Sequence, residues 1–111
     1  QTCDSITITD KKGVIVYCNV AACRIRGRVQ EEIIGKTAYF ARPDVRGKGL
    51  FRALWENLEK GESWRGPLME RRQDRSTYPT LASISPICDE AGEIAHYVCI
   101  QRDMTDQHIL E

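Results

Sequence analysis

Apolar residues alternate with polar ones toward both ends of this chain and fall at helical spacing only in its middle. Ser5-Ile6-Thr7-Ile8-Thr9 has the two-residue period of a strand with one face buried. Asp10-Lys11-Lys12-Gly13 supplies a turn, and Val14 to Cys18, rich in β-branched and aromatic residues, returns as the second arm of a hairpin. Asn19 is placed to cap a helix running from Val20 to Arg26, and Gly27 suits the left-handed residue that closes it. Val29 to Ile34 predicts a further short helical turn, ended by Gly35. Lys36 to Gly49 contains Pro43, Gly47 and Gly49 and reads as loop, with at most a turn of helix around Thr37 to Ala41. Leu50, Phe51, Leu54, Trp55 and Leu58 then form a stripe along one side of a longer helix that Gly61 ends.

From Trp64 onward the pattern returns to strands. Runs from Trp64 to Arg72, Thr77 to Cys88 and Glu93 to Asp103 are separated by Gln73-Asp74-Arg75-Ser76 and Asp89-Glu90-Ala91-Gly92. Connections this short can only reverse the chain, so the three strands form an antiparallel meander. Strands, helices, then strands within one small chain predict an α+β fold. If the first hairpin joins the meander, a five-stranded antiparallel sheet results, covered on one face by the short helices and the longer one. The binding site is then expected between sheet and helices, and the other sheet face, or the edge near Ser5 to Thr9, is left for a partner.

A length of 111 residues fits one domain. Sixteen basic and sixteen acidic residues cancel to a formal net charge of +0, so no overall field favours nucleic acid or an anionic membrane. Arg24, Arg26 and Arg28 form a local basic patch that reads as a solvated face. The longest apolar run, Gly13 to Cys18, is far shorter than the roughly 20 residues of a membrane span. Five cysteines, Cys3, Cys18, Cys23, Cys88 and Cys99, show no metal-ligand spacing. Reduced thiols in a core predict a cytoplasmic location, with a redox role for Cys18 and Cys23 as the alternative if one is exposed. No nucleophile–base or paired-carboxylate arrangement is spaced for catalysis, so no enzyme activity is expected.

The strings Ile8-Thr9-Asp10, Gly13 to Ala21, Glu31 to Lys36, Leu54-Trp55, Gly61 to Gly66, Arg71 to Pro79, Ser85 to Gly92 and Arg102-Asp103-Met104-Thr105 together resemble a PAS domain with its C-terminal PAC motif. The resemblance covers nearly the whole chain, in the family's order and spacing. It implies a sensor or interaction module of a larger bacterial signalling protein, whose output is a histidine kinase, a diguanylate cyclase or phosphodiesterase, or a transcription regulator. Two departures stand out: Gly27-Arg28 where many members have Gly-Tyr, and Asp74-Arg75-Ser76 where they have Asp-Gly-Ser or Asp-Gly-Thr. If the turn keeps its type, Arg75 must take a positive φ at a cost of about 1 kcal/mol.

The family's cofactors each need their own residue. Haem-binding members place a histidine on the long helix, but the two histidines here are His96 in the last strand and His108 in the tail, so haem is not expected. Photochemical flavin members place a cysteine in the short helix before it, and Lys36 to Arg42 has none. The chain is also similar to the redox-sensing FAD domains of nitrogen-fixation regulators, in which a tryptophan on the long helix and an amide on the first meander strand border the flavin. Trp55 matches the first, but Glu70 replaces the amide and Ala38 replaces a carboxylate, so FAD is not favoured and the cofactor is left unknown.

The expected ligand contacts are Trp55, Glu70, Asn19, Tyr39 and Leu54, and the expected relay residues are Asp103 and Thr105. Each has a plainer reading. Trp55 and Leu54 suit a core, Asn19 suits a helix cap, and Glu70 can point inward to a cationic ligand or arginine, or outward beside Arg71 and Arg72. Residues 1–103 read as the sensor domain and 104–111 as the start of a signalling helix. The predicted partners are a second copy in a homodimer, an output domain of the same chain and a small-molecule ligand, with no contact to nucleic acid or membrane. The alternative is a ligand-free dimerisation and relay module.

Overall fold

Five antiparallel strands are laid out in the order β2-β1-β5-β4-β3, so the first and last strands of the chain lie side by side at the centre. A computed structural model describes residues 4–105. Strands β1 (Ser5–Asp10) and β2 (Ile15–Cys18) form the first hairpin. They are followed by α1 (Val20–Arg26), α2 (Gln30–Ile33), a 3-10 turn (Tyr39–Ala41), α3 (Pro43–Arg46) and α4 (Gly49–Glu59). The chain closes with β3 (Trp64–Arg71), β4 (Thr77–Cys88) and β5 (Ile94–Asp103). The predicted hairpin, meander and long helix are all present. The predicted helical turn at Val29 to Ile34 is shorter than expected, and the segment read as loop holds α3, which Pro43 opens at the position where a missing N–H costs nothing.

The helices cover one face of the sheet. One transverse row of the sheet on that face reads Trp64, Ile84, Cys99, Thr7 and Cys18 across all five strands. Leu54, Trp55 and Leu58, the buried stripe of α4, pack into the core this face builds with Phe40, Leu68 and Ala82. Each such large side chain, fully buried, contributes roughly 1.5–3 kcal/mol of transfer free energy.

Strand β1 departs from the simple reading of its alternation. Its buried positions are Ser5, Thr7 and Thr9, while Ile6 and Ile8 lie on the opposite face in the company of Val98 and Ile100. Small polar side chains leave room for α1 to lie against the strand, where Ala22 is fully buried. Thr9 satisfies its hydroxyl on the Asp10 carbonyl at 2.8 Å, whereas Thr7 Oγ1 is buried with no partner among the described groups.

Glycine at two turns ties the layers together. Gly13 (φ 93°) closes the β1–β2 turn, and a Cβ there would collide with Ala41 on the 3-10 turn. Gly27 (φ 66°) ends α1, and a Cβ there would meet the side chain of Gln73 in the β3–β4 turn. The end of α1 is thereby seated on the meander.

Candidate functional site

A buried polar network crosses the helix-facing side of the sheet where an apolar core would otherwise continue. Strand alternation puts Leu68 inward, and Glu70, two residues on, follows it to the same face. Tyr78 lies opposite Glu70 on β4, and Thr80 follows on the same side. Gln101 continues the inward series of Tyr97 and Cys99 on β5. Gln101 Nε2 donates to Glu70 Oε2 at 3.1 Å and to Thr80 Oγ1 at 3.0 Å, and the Thr80 hydroxyl donates to the Leu68 carbonyl at 2.7 Å.

Arg26 reaches this network from the last turn of α1. Its Nη2 stands 3.8 Å from Glu70 Oε2, with side-chain exposures of 23% for Arg26 and 17% for Glu70. The guanidinium's Nη1 is buried with no hydrogen-bond partner among the described residues. This corrects the reading of Arg24, Arg26 and Arg28 as one solvated patch: Arg26 turns inward because α1 packs that flank on the sheet. Glu70 settles inward for the same reason, having both a cation and an amide to neutralise its burial. Desolvation, aided by the carboxylates of Glu70 and Asp103, pushes the Tyr78 phenol up to about 12.

The network encloses a hollow of about 10 Å³ between Ser5, Arg26, Glu70, Tyr78, Thr80 and Gln101. That is room for about one water molecule. Glu70 also lines a cleft of about 270 Å³ with Tyr39, Arg42, Met69, Arg71 and Thr77. A larger groove of about 930 Å³ runs past Lys11, Lys12, Asp89 and Glu93 at the turn end of the sheet. It is an open surface of mixed charge at the far end of the molecule from the Glu70 network, so the smaller hollow is the better candidate.

The five residues expected around a ligand do not come together. Glu70 and Tyr39 share the cleft. Leu54 is fully buried in the core, and Trp55 is nearly so. Trp55 Nε1 donates to the Phe40 carbonyl at 2.7 Å, its ring stacks on Phe40, meets Tyr97 edge-on at 5.3 Å, and carries the Arg46 guanidinium 3.7 Å from its centroid. Asn19 caps α1, accepting from Ala22 N at 2.9 Å, and the same oxygen accepts from Ile6 N at 3.0 Å. Arg26 was read as a surface residue, and Thr80 and Gln101 escaped the sequence reading. An amide at the inward position after Tyr97 and Cys99 was the signal available for Gln101.

At the exit of β5, Asp103 accepts from Thr105 N at 2.9 Å and from its hydroxyl, and lies 4.0 Å from Arg72. Arg72 in turn covers the Tyr78 ring at 4.2 Å. Of the segment 104–111 expected to start a signalling helix, residues 106–111 lie outside the described residues. His96 is exposed on the far face of the sheet, and His108 lies outside the described residues. Among the described residues no cluster of metal-ligating side chains occurs, and no helix is long and apolar enough to cross a membrane.

Comparison with known proteins places this geometry. The chain is 28% identical over 111 residues to the nitrogen fixation regulatory protein of Klebsiella oxytoca, covering all of this chain and 22% of that one. It is 30% identical over 108 residues to hybrid signal transduction histidine kinase L of Dictyostelium discoideum, covering 97% of this chain and 6% of that one. It therefore spans less than a quarter of the length of these relatives, which are multidomain signalling proteins. Among solved structures, a PAS domain from Colwellia psychrerythraea superposes with a TM-score of 0.80 at 21% identity, covering 93% of this chain and 87% of that one. A family model described as PAS domain matches residues 4–106. With that match spanning nearly the whole length, the chain belongs to the PAS domain family, the sensory modules of signalling proteins.

Proposed function

We propose that this PAS domain senses a small polar ligand with a cationic or amine head, and passes its occupancy through β5 to an output domain of a larger bacterial signalling protein. The observation that carries the reading is the inward Glu70 carboxylate, which accepts from Gln101 and faces Arg26, on a residue that also lines the cleft. Gln101 stands two residues before Asp103, where β5 ends. The hollow accepts little more than one water, so the bulk of a ligand would lie in the Tyr39–Thr77 cleft with its charged head at Glu70. A ligand shifts an output only by binding two states unequally, and competition with Arg26 for Glu70 supplies such a difference. Residues 1–103 are the sensor body, and the chain from 104 carries the signal onward in the cytoplasm to a kinase or cyclic-dinucleotide output domain.

Thermal melting of the purified chain against amines such as putrescine, choline and arginine tests this directly. At least one is expected to raise the midpoint of the native chain and to lose that effect in Glu70→Gln. A shift of equal size in the variant would sink the reading.

A second reading, a ligand-free dimerisation and relay module, draws on the sheet's far face, where Tyr17 and Ile100 are exposed beside Ile6, Ile8 and Val98. It predicts a homodimer through that face which Ile100→Asp converts to monomer in sedimentation. An FAD-binding redox sensor is the third reading, supported by the similarity to nitrogen-fixation regulators. Flavin fits these residues less well: Trp55 is committed to Phe40 and Tyr97, and the Glu70 carboxylate cannot donate to the ring. The visible absorbance of freshly purified protein tests it.

A further inference from the structure

Cys18 and Cys23 are brought into contact by the junction of β2 and α1, with their Sγ atoms 3.7 Å apart and both thiols free. Cys18 ends β2 and is fully buried, its carbonyl held by Gln30 Nε2 at 2.6 Å. Cys23 is half-buried and borders an open surface groove of about 570 Å³ with Val20, Arg24 and Val29. One thiol of the pair is thus reachable from solvent and the other waits behind it. Burial, together with the contact to Cys23, pushes the Cys18 thiol up to about 11, which keeps it protonated and makes it the poorer first target.

We propose that Cys18 and Cys23 form a reversible disulfide switch, in which a hydroperoxide oxidises Cys23 and Cys18 resolves the product. In the first step the Cys23 sulfur attacks a peroxide oxygen: an S–O bond forms, the O–O bond breaks, and the departing hydroxide leaves as water with the thiol proton. In the second, Cys18 sulfur attacks Cys23 sulfur: the S–S bond forms, the S–O bond breaks, and the hydroxide takes the Cys18 proton as a second water. Two thiols lose two electrons and two protons, and hydrogen peroxide is reduced to two waters. Forming the bond closes the sulfurs from 3.7 Å to about 2.05 Å and so draws α1 and β2 together at this junction. Arg26 lies three residues beyond Cys23 on α1, so this movement acts on the cation that faces Glu70. The switch does not depend on any ligand at Glu70.

Trypsin releases both residues on one peptide, Gly13 to Arg24. After brief treatment of the native chain with equimolar hydrogen peroxide and alkylation in denaturant, that peptide is expected to be lighter by two hydrogens and to carry no alkyl group. Dithiothreitol should restore alkylation at both sulfurs. With a sulfenic-acid probe, Cys18→Ser is expected to trap label at position 23, while Cys23→Ser leaves position 18 unlabelled. Oxidation that falls on the exposed Cys88 and leaves the peptide alkylated twice overturns the proposal, and wild-type mapping decides this even if a variant fails to fold. Label appearing at position 18 of Cys23→Ser as fast as at position 23 of Cys18→Ser overturns the order of attack.

Discussion

Arg75 holds a backbone conformation that glycine adopts at lower cost, with a φ of 76° between β3 and β4. The turn is held by Asp74, whose Oδ1 accepts from the Ser76 hydroxyl at 2.6 Å and from Ser76 N at 2.9 Å. Those bonds, the hydroxyl first, keep the Asp74 carboxyl below the ordinary carboxylate range. Arg75 thus takes the positive φ expected if the turn keeps its type. Arg75→Gly is expected to stabilise the fold by about 0.5 kcal/mol, the left-handed cost of about 1 kcal/mol less what glycine gains in unfolded freedom. Urea unfolding measures it, and a lower midpoint would contradict the argument. Glu70 is the contrasting residue. Its alternation with Leu68 was legible, but its face could be assigned only once Arg26 was seen to arrive from α1.

Asn19 shows how one side chain can hold two elements. Its Oδ1 caps α1 at Ala22 N and also takes Ile6 N from β1, while its Nδ2 donates to the Asp4 carbonyl at 3.0 Å. Only the cap was legible, because the contacts to Ile6 and Asp4 span 13 and 15 residues of chain. Asn19→Ala is expected to cost about 1–2 kcal/mol, at the upper end of cap losses because the strand contacts go with it. Asn19→Asp keeps the accepting oxygen and should recover most of that in the same urea titration. Equal losses in both variants would show that the Asp4 contact dominates. The element boundaries were otherwise well marked, since Gly27 and Gly61 stop helices and the polar clusters at 73–76 and 89–92 stop strands. The helix α3 was missed because the glycines around it argue for loop, while its four residues are too few to show a period.

The molecule as a whole buries several groups in their neutral forms. Against ordinary values of 9.0 for thiols and 10.0 for the phenol, desolvation pushes Cys18 to about 11, Cys99 to about 12 and Tyr78 to about 12. Each folded value lies above its unfolded one, so the protonated form is favoured by folding. Their stabilisation is complete below the unfolded values and is lost as pH rises from about 9 through about 12. Urea midpoints are expected to hold steady up to about pH 9 and then fall. Cys99→Val should remove part of that fall, and an unchanged alkaline slope in the variant would contradict the assignment. The order of strands and helices, their ends and the α+β class could all be read along the chain, because alternation, capping residues and turn residues act over only a few positions. Four facts could not: that β1 buries its threonines, that Glu70 turns inward, that Arg26 leaves the basic patch for the sheet, and that Cys18 touches Cys23. Each depends on which face a neighbour covers. That neighbour is set by strand pairing such as Thr7 with Cys99 and by the seating of α1 against the β3–β4 turn, contacts between segments that no local pattern relates.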